Sequence, residues 1–133
     1  MPKTTLKHEL TVHALTTKLW SVLTSSDFTR QFLFNDEFIS EWTEGSPVIS
    51  AETNEKHGTI RQVIPGVLLS FDLHLPELSR DPVEFRYELA PGEDGIQLKL
   101  VQELNLHNEV SVRSITENTN IMLQKIKWLA EYS

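Results

Sequence analysis

The chain has 133 residues, a formal net charge of -7, 39% hydrophobic and 23% charged residues, and no cysteine. That length fits one domain with one core, expected to span 1–133 without an internal boundary. The lack of cysteine excludes disulfides, thiolate metal sites and a cysteine nucleophile, and scattered basic residues on an acidic chain argue against nucleic acid as a partner.

The opening "MPKTTLKHEL" has no apolar leader core, and no stretch approaches the roughly eighteen apolar residues of a membrane span. The expectation is therefore a cytoplasmic protein with no membrane span. Next, "TLKHELTVHA" alternates, with Leu6, His8, Leu10 and Val12 on one side and Lys7, Glu9, Thr11 and His13 on the other, which predicts a half-buried strand. In "LTTKLWSVLTS" the period changes to helical, with Leu15, Leu19, Val22 and Leu23 in one stripe and Thr16 as the expected cap. A second short helix is expected over "DFTRQFLF", capped by Ser26 or Asp27.

From Glu37 to Glu103 the pattern is strand-like. "EFISEW" and "PVISAE" flank the turn Thr43-Glu44-Gly45-Ser46, and "GTIRQVI" and "VLLSFDLHL" flank Pro65-Gly66. Proline pre-sets φ and glycine accepts a positive φ, so that pair predicts a type II turn. "VEFRYEL" turns Val83, Phe85, Tyr87 and Leu89 one way, and "IQLKLVQEL" does the same with Ile96, Leu98, Leu100, Gln102 and Leu104. Such alternation describes an antiparallel meander with one wet side. From about Val112 to Tyr132, Ile115, Met122, Ile126 and Leu129 make a helical stripe joined by Leu123 and Ala130. The expected fold is α+β: six or seven antiparallel strands in a curved sheet wrapped around a long C-terminal helix, with two short helices after strand one.

Three motifs add a resemblance. "VHALTTKLWSVLTSSDFTRQFL", "SEWTEGSPV" and "HGTIRQVIPGVLLSF", in this order and ahead of a terminal helix, resemble the helix-grip fold of the START-like (SRPBCC) superfamily. Within it they are similar to the single-domain branch named after the activator of the heat-shock protein 90 ATPase. The chain departs from that pattern at Leu15 (usually proline), Phe32 (often tryptophan) and Asn118-Thr119 (often Gly-Trp). The resemblance implies a cavity between sheet and helix, and a hydrophobic or amphipathic small molecule as its occupant. A chaperone or another protein is the alternative partner it implies, and a cyclase- or hydrolase-like enzyme is the third reading.

With that cavity in view, the expected lining is Phe71, Phe85, Leu98 and Leu100 from the sheet with Met122 and Ile126 from the helix, and Trp42 at the mouth. Tyr87, Gln102 and His8 are the expected orienting polar groups. The plainer reading of His8 is a core or edge histidine with one hydrogen-bond partner. Gln102 could equally mark where its strand meets solvent. Asp72 and His74 share a strand face opposite Phe71 and Leu73, which makes them surface groups rather than a dyad. Trp20 and Trp128 read as core or rim packing. The five histidines have no metal-ligand spacing, no glycine-rich phosphate loop occurs, and no serine sits in a nucleophile elbow. The expectation is no catalytic residue, no metal and no cofactor, with a protein-interaction surface sought among Glu84, Glu88, Glu93 and Asp94.

Overall fold

A computed structural model of the chain describes residues 4–25, 28, 38–74, 82–104 and 109–132. Strand β1 (Thr4–Val12) leads into helix α1 (Thr16–Thr24). The meander β2 (Phe38–Ile39), β3 (Pro47–Ser50), β4 (Lys56–Ile64), β5 (Leu68–Leu73), β6 (Val83–Pro91) and β7 (Ile96–Leu104) follows, and helix α2 (Glu109–Tyr132) closes the fold. The seven strands form one antiparallel sheet in the order β1-β7-β6-β5-β4-β3-β2. The meander thus runs strand by strand to β7, and β1 returns beside it as the far edge.

Turn chemistry fixes the central hairpin. Ile64 C=O accepts the Val67 N–H at 2.9 Å, and Gly66 sits at φ 78°, the positive value that the third position of a type II turn requires. On β4, Gly58 lies so close to β5 that an added Cβ would be 1.8 Å from the Asp72 carbonyl oxygen. Hydrogen there is the only substituent that lets these two strands approach.

Directly opposed residues of an antiparallel sheet point to the same face. The register therefore lays the inner face in rows across the strands: Ile60, Phe71, Phe85, Gln102 and Leu6 in one, and Leu69, Tyr87, Leu100 and His8 in the next. Helix α2, about 36 Å long at 1.5 Å per residue, covers these rows with Ile115, Met122, Leu123, Ile126, Leu129 and Ala130, all buried. Its C-terminal end is tied to β1 and the β1–α1 link. Lys127 Nζ donates to the Thr11 carbonyl at 2.6 Å, and the His13 N–H donates to Glu131 Oε2 at 2.8 Å.

Two boundaries differ from expectation. Thr16 is the first helical residue rather than the cap; Leu15 holds the cap position with extended backbone and makes no side-chain cap bond. Helix α2 begins at Glu109, about a turn before Val112. The stripe counted from the sequence starts at Ile115, so the pattern carries no marker for where the helix begins upstream of it. The expected second short helix, with its cap at Ser26 or Asp27, and Phe32 lie outside the described residues.

Candidate functional site

The space between β5–β7, β1 and α2 is where the ten expected lining residues meet. Phe71, Phe85, Tyr87, Leu98, Leu100, Gln102, Met122 and Ile126 are all buried there, while His8 and Trp42 are half-buried at its margins. Alternation on β5, β6 and β7 put the strand residues on one face, and the 3.6-residue period of α2 turned Met122 and Ile126 towards them.

The aromatic side chains form a continuous group. Phe71 and Phe85 are directly opposed across β5 and β6 and stack at 5.2 Å between centroids, with planes 13° apart. Tyr87 tilts against Phe71 at 6.2 Å, and Trp42 meets the same ring edge-on at 6.1 Å. Trp42 holds this position in the left-handed region, at φ 56°. A bulky residue adopts that backbone only when its surroundings impose it. Here the Trp42 N–H donates to Ser40 Oγ, and Ser40 Oγ is 3.2 Å from buried Ser46 Oγ, which itself donates to the Thr43 carbonyl at 2.6 Å. A short serine network thus aims the indole at the aromatic group.

The three orienting polar residues have different fates. Gln102 is fully buried rather than meeting solvent, and its amide is engaged by the protein itself: Nε2 donates to Thr119 Oγ1 at 3.0 Å, and Thr119 Oγ1 donates back to Oε1 at 3.2 Å. This reciprocal bond clamps α2 to β7. Thr119 is the member of the site that sequence reasoning missed. It falls on the buried stripe four residues after Ile115 and three before Met122, a lone hydroxyl matching the lone amide on β7. Among the described residues, Tyr87 donates its hydroxyl only to the Met122 thioether, at 3.9 Å. Sulfur is a weak acceptor, and burial pushes this phenol well above its ordinary pKa, so it stays a proton donor. His8 Nε2 is buried with no hydrogen-bond partner among the described residues.

Outside this interior the sheet is wet, as alternation required. Asp72 pairs with Arg61, whose Nε lies 2.6 Å from Asp72 Oδ2. Glu88 is flanked by Arg86 at 3.3 Å and Lys99 at 4.0 Å, so basic groups interleave with the acidic residues of β6. No group of three metal-ligating side chains is found among the described residues. Nor is any helix among them long and apolar enough to cross a membrane.

A curved antiparallel sheet gripping one long C-terminal helix, with an apolar inner face broken by a few polar residues, defines a helix-grip protein of the START-like (SRPBCC) class. The family is given by a match over residues 13–131 to the model described as activator of Hsp90 ATPase homolog 1-like protein, and the chain belongs to that family. Solved structures agree on the fold. The Aha1 dimer from Colwellia psychrerythraea is 16% identical, with 97% of each chain covered and a TM-score of 0.79. A protein from Cytophaga hutchinsonii is 21% identical over 94% of this chain and 92% of its own, at a TM-score of 0.75. One from Mesorhizobium loti is 19% identical over 95% and 96%, also at 0.75. No curated protein matches the chain.

Proposed function

We propose that the protein binds an apolar or amphipathic small molecule between the sheet and α2, and that it does so without chemistry of its own. The observation that carries this reading is a pair of under-satisfied polar groups on one row of the inner face. Tyr87 and His8 lie on either side of Leu100, two strand spacings or about 10 Å apart. Among the described residues, the first has only a thioether to donate to, and the second has no partner for Nε2. A buried polar group left unpaired costs about 1–3 kcal/mol. A ligand carrying a hydroxyl, carbonyl or carboxyl group would recover that cost at either end. Apolar contact with Phe85, Leu98, Leu100 and Ile126 would supply the remaining affinity, at about 25 cal/mol per Å² removed from water.

The same interior argues for a movable wall. The Tyr87 hydroxyl is spanned by Met122, an unbranched side chain with three rotatable bonds that can yield to an entering molecule. A chaperone or other protein partner remains the second reading, supported by the family's description.

Native mass spectrometry of the gently purified protein, compared with its denatured mass, tests the proposal. A discrete adduct of small-molecule size is expected, absent from a Met122→Trp variant whose circular dichroism is unchanged. A wild-type protein that stays bare, even after incubation with fatty acids and flat aromatic acids, refutes it.

A further inference from the structure

Helix α2 has a second face that the interior does not use. Ile121, Trp128 and Tyr132 project from it at 57%, 58% and 73% exposure, in a spacing of seven and four residues that keeps them in one line. Trp128 and Tyr132 lie 6.2 Å apart between ring centroids. An apolar groove of about 580 Å³ runs past Ile121, Gln124, Lys125 and Trp128. An amphipathic helix ordinarily turns charge outwards, and this outward line instead carries large apolar groups through its middle and C-terminal half.

The residues on that line are ordered symmetrically about Ile121. Four positions before it is Glu117, and four after it is Lys125, both exposed and neither in an ion pair among the described residues. Three before it is Asn118, and three after it is Gln124. Seven before it is the small Ser114, and seven after it is the large Trp128. When two copies of a helix pack antiparallel about a two-fold axis, positions equidistant from the crossing residue on either side meet. With the crossing at Ile121, each Glu117 meets the other copy's Lys125, each Asn118 meets a Gln124, and each Trp128 lies over a Ser114, whose small side chain leaves room for it. The axial offset is the same on both helices, about 6 Å for four residues at 1.5 Å each. Helices packed about 8–10 Å apart bring such exposed pairs within reach.

A competing register, centred between Gln124 and Lys125, sets Ile121 against Trp128 and each Lys125 against a Gln124, which leaves the two Lys125 ammonium groups close to one another beside the axis and each Glu117 opposite a Tyr132. Like charges juxtaposed in this way disfavour it. We infer that the outer face of α2 is a self-association surface on which a second copy of this chain packs antiparallel, crossing at Ile121 and fastened by two Glu117–Lys125 pairs. The surface is independent of the interior site, because the residues it uses point away from the sheet.

Sedimentation velocity of the full chain over a range of concentrations tests this, with five variants at three exposed positions. The wild type is expected to form a dimer. Glu117→Lys and Lys125→Glu each create two like-charge contacts and are expected to weaken dimerisation about tenfold or more, with the effect largest at low salt. The double variant carrying both changes restores opposite charges and is expected to return close to the wild-type dissociation constant. Ile121→Glu should leave a monomer with unchanged circular dichroism. A wild type that stays monomeric at all concentrations overturns the inference, as does a dimer indifferent to both single charge changes. A dimer tightened by Lys125→Gln also overturns it, because removing the charge relieves the Lys125–Lys125 repulsion of the other register but only loses the Glu117–Lys125 pairs of this one.

Discussion

Replacing Thr119 with valine removes one hydroxyl and keeps the side-chain shape. In the native interior that hydroxyl accepts from Gln102 Nε2 at 3.0 Å and donates to Oε1 at 3.2 Å, and both residues are 0% exposed. The substitution therefore strands an amide donor and an amide acceptor in a place with no water. Each lost neutral bond is worth about 1 kcal/mol net, and each stranded buried group adds a desolvation cost of about 1–3 kcal/mol. Partial relaxation of the glutamine lowers the sum, so Thr119→Val is expected to cost about 2–4 kcal/mol. For a domain of this size that shifts the melting temperature by roughly 10 °C. Urea unfolding followed by tryptophan fluorescence measures the loss directly. The double variant Gln102→Leu with Thr119→Val removes both partners and is expected to recover most of it, because no polar group is then left unpaired. A cost below about 0.5 kcal/mol for Thr119→Val would refute the reasoning, since it would mean that Gln102 finds water or another partner there. The amide would then be open to a ligand rather than committed to holding α2 against β7.

Three further outcomes are expected. His8→Leu removes the unpartnered Nε2 and should leave the ligand-free protein equally stable or up to about 1 kcal/mol more stable, while weakening retention of any small molecule; urea midpoints and native masses of the two proteins check both halves. The Glu131 carboxyl is held below its ordinary pKa chiefly by the His13 N–H and further by Lys127, so its folded-state contribution is complete above the usual carboxylate range. That contribution fades as pH falls through the usual carboxylate range towards the lowered native value, and the stability gap between wild type and Glu131→Gln should shrink on that acid side and stay constant above it. Gly58→Ala drives a Cβ into the Asp72 carbonyl and should cost more than about 3 kcal/mol, against about 1 kcal/mol for Gly66→Ala, where only the positive φ is strained; thermal melts of the two variants rank them.

The sequence by itself determined the elements and the faces. A two-residue period on β1, β6 and β7 and a 3.6-residue period on α2 are local rules, and they sorted Tyr87, Leu100 and Met122 inwards and Asp72 outwards before any contact was known. Pro65-Gly66 likewise carried its turn in its own φ preferences. Helix ends were less legible, because the apolar stripe of α2 counted from the sequence starts only at Ile115 and Leu15 caps α1 without a polar side chain.

What only the tertiary structure decided is which polar groups are engaged and which are left open. Gln102 and His8 look alike in sequence, each one polar residue interrupting an apolar strand face. Gln102 meets Thr119 only because α2 lies across β7 at that height, whereas Nε2 of His8, on the edge strand, finds no partner among the described residues. The distinction depends on the register of β1 against β7 and on the placement of a helix seventeen residues further along the chain, and no local pattern encodes either. Trp128 shows the same dependence: of its core and rim readings the fold excludes the core, because Ile126, Leu129 and Ala130 fill the inward face of α2 and leave the indole on the outer one.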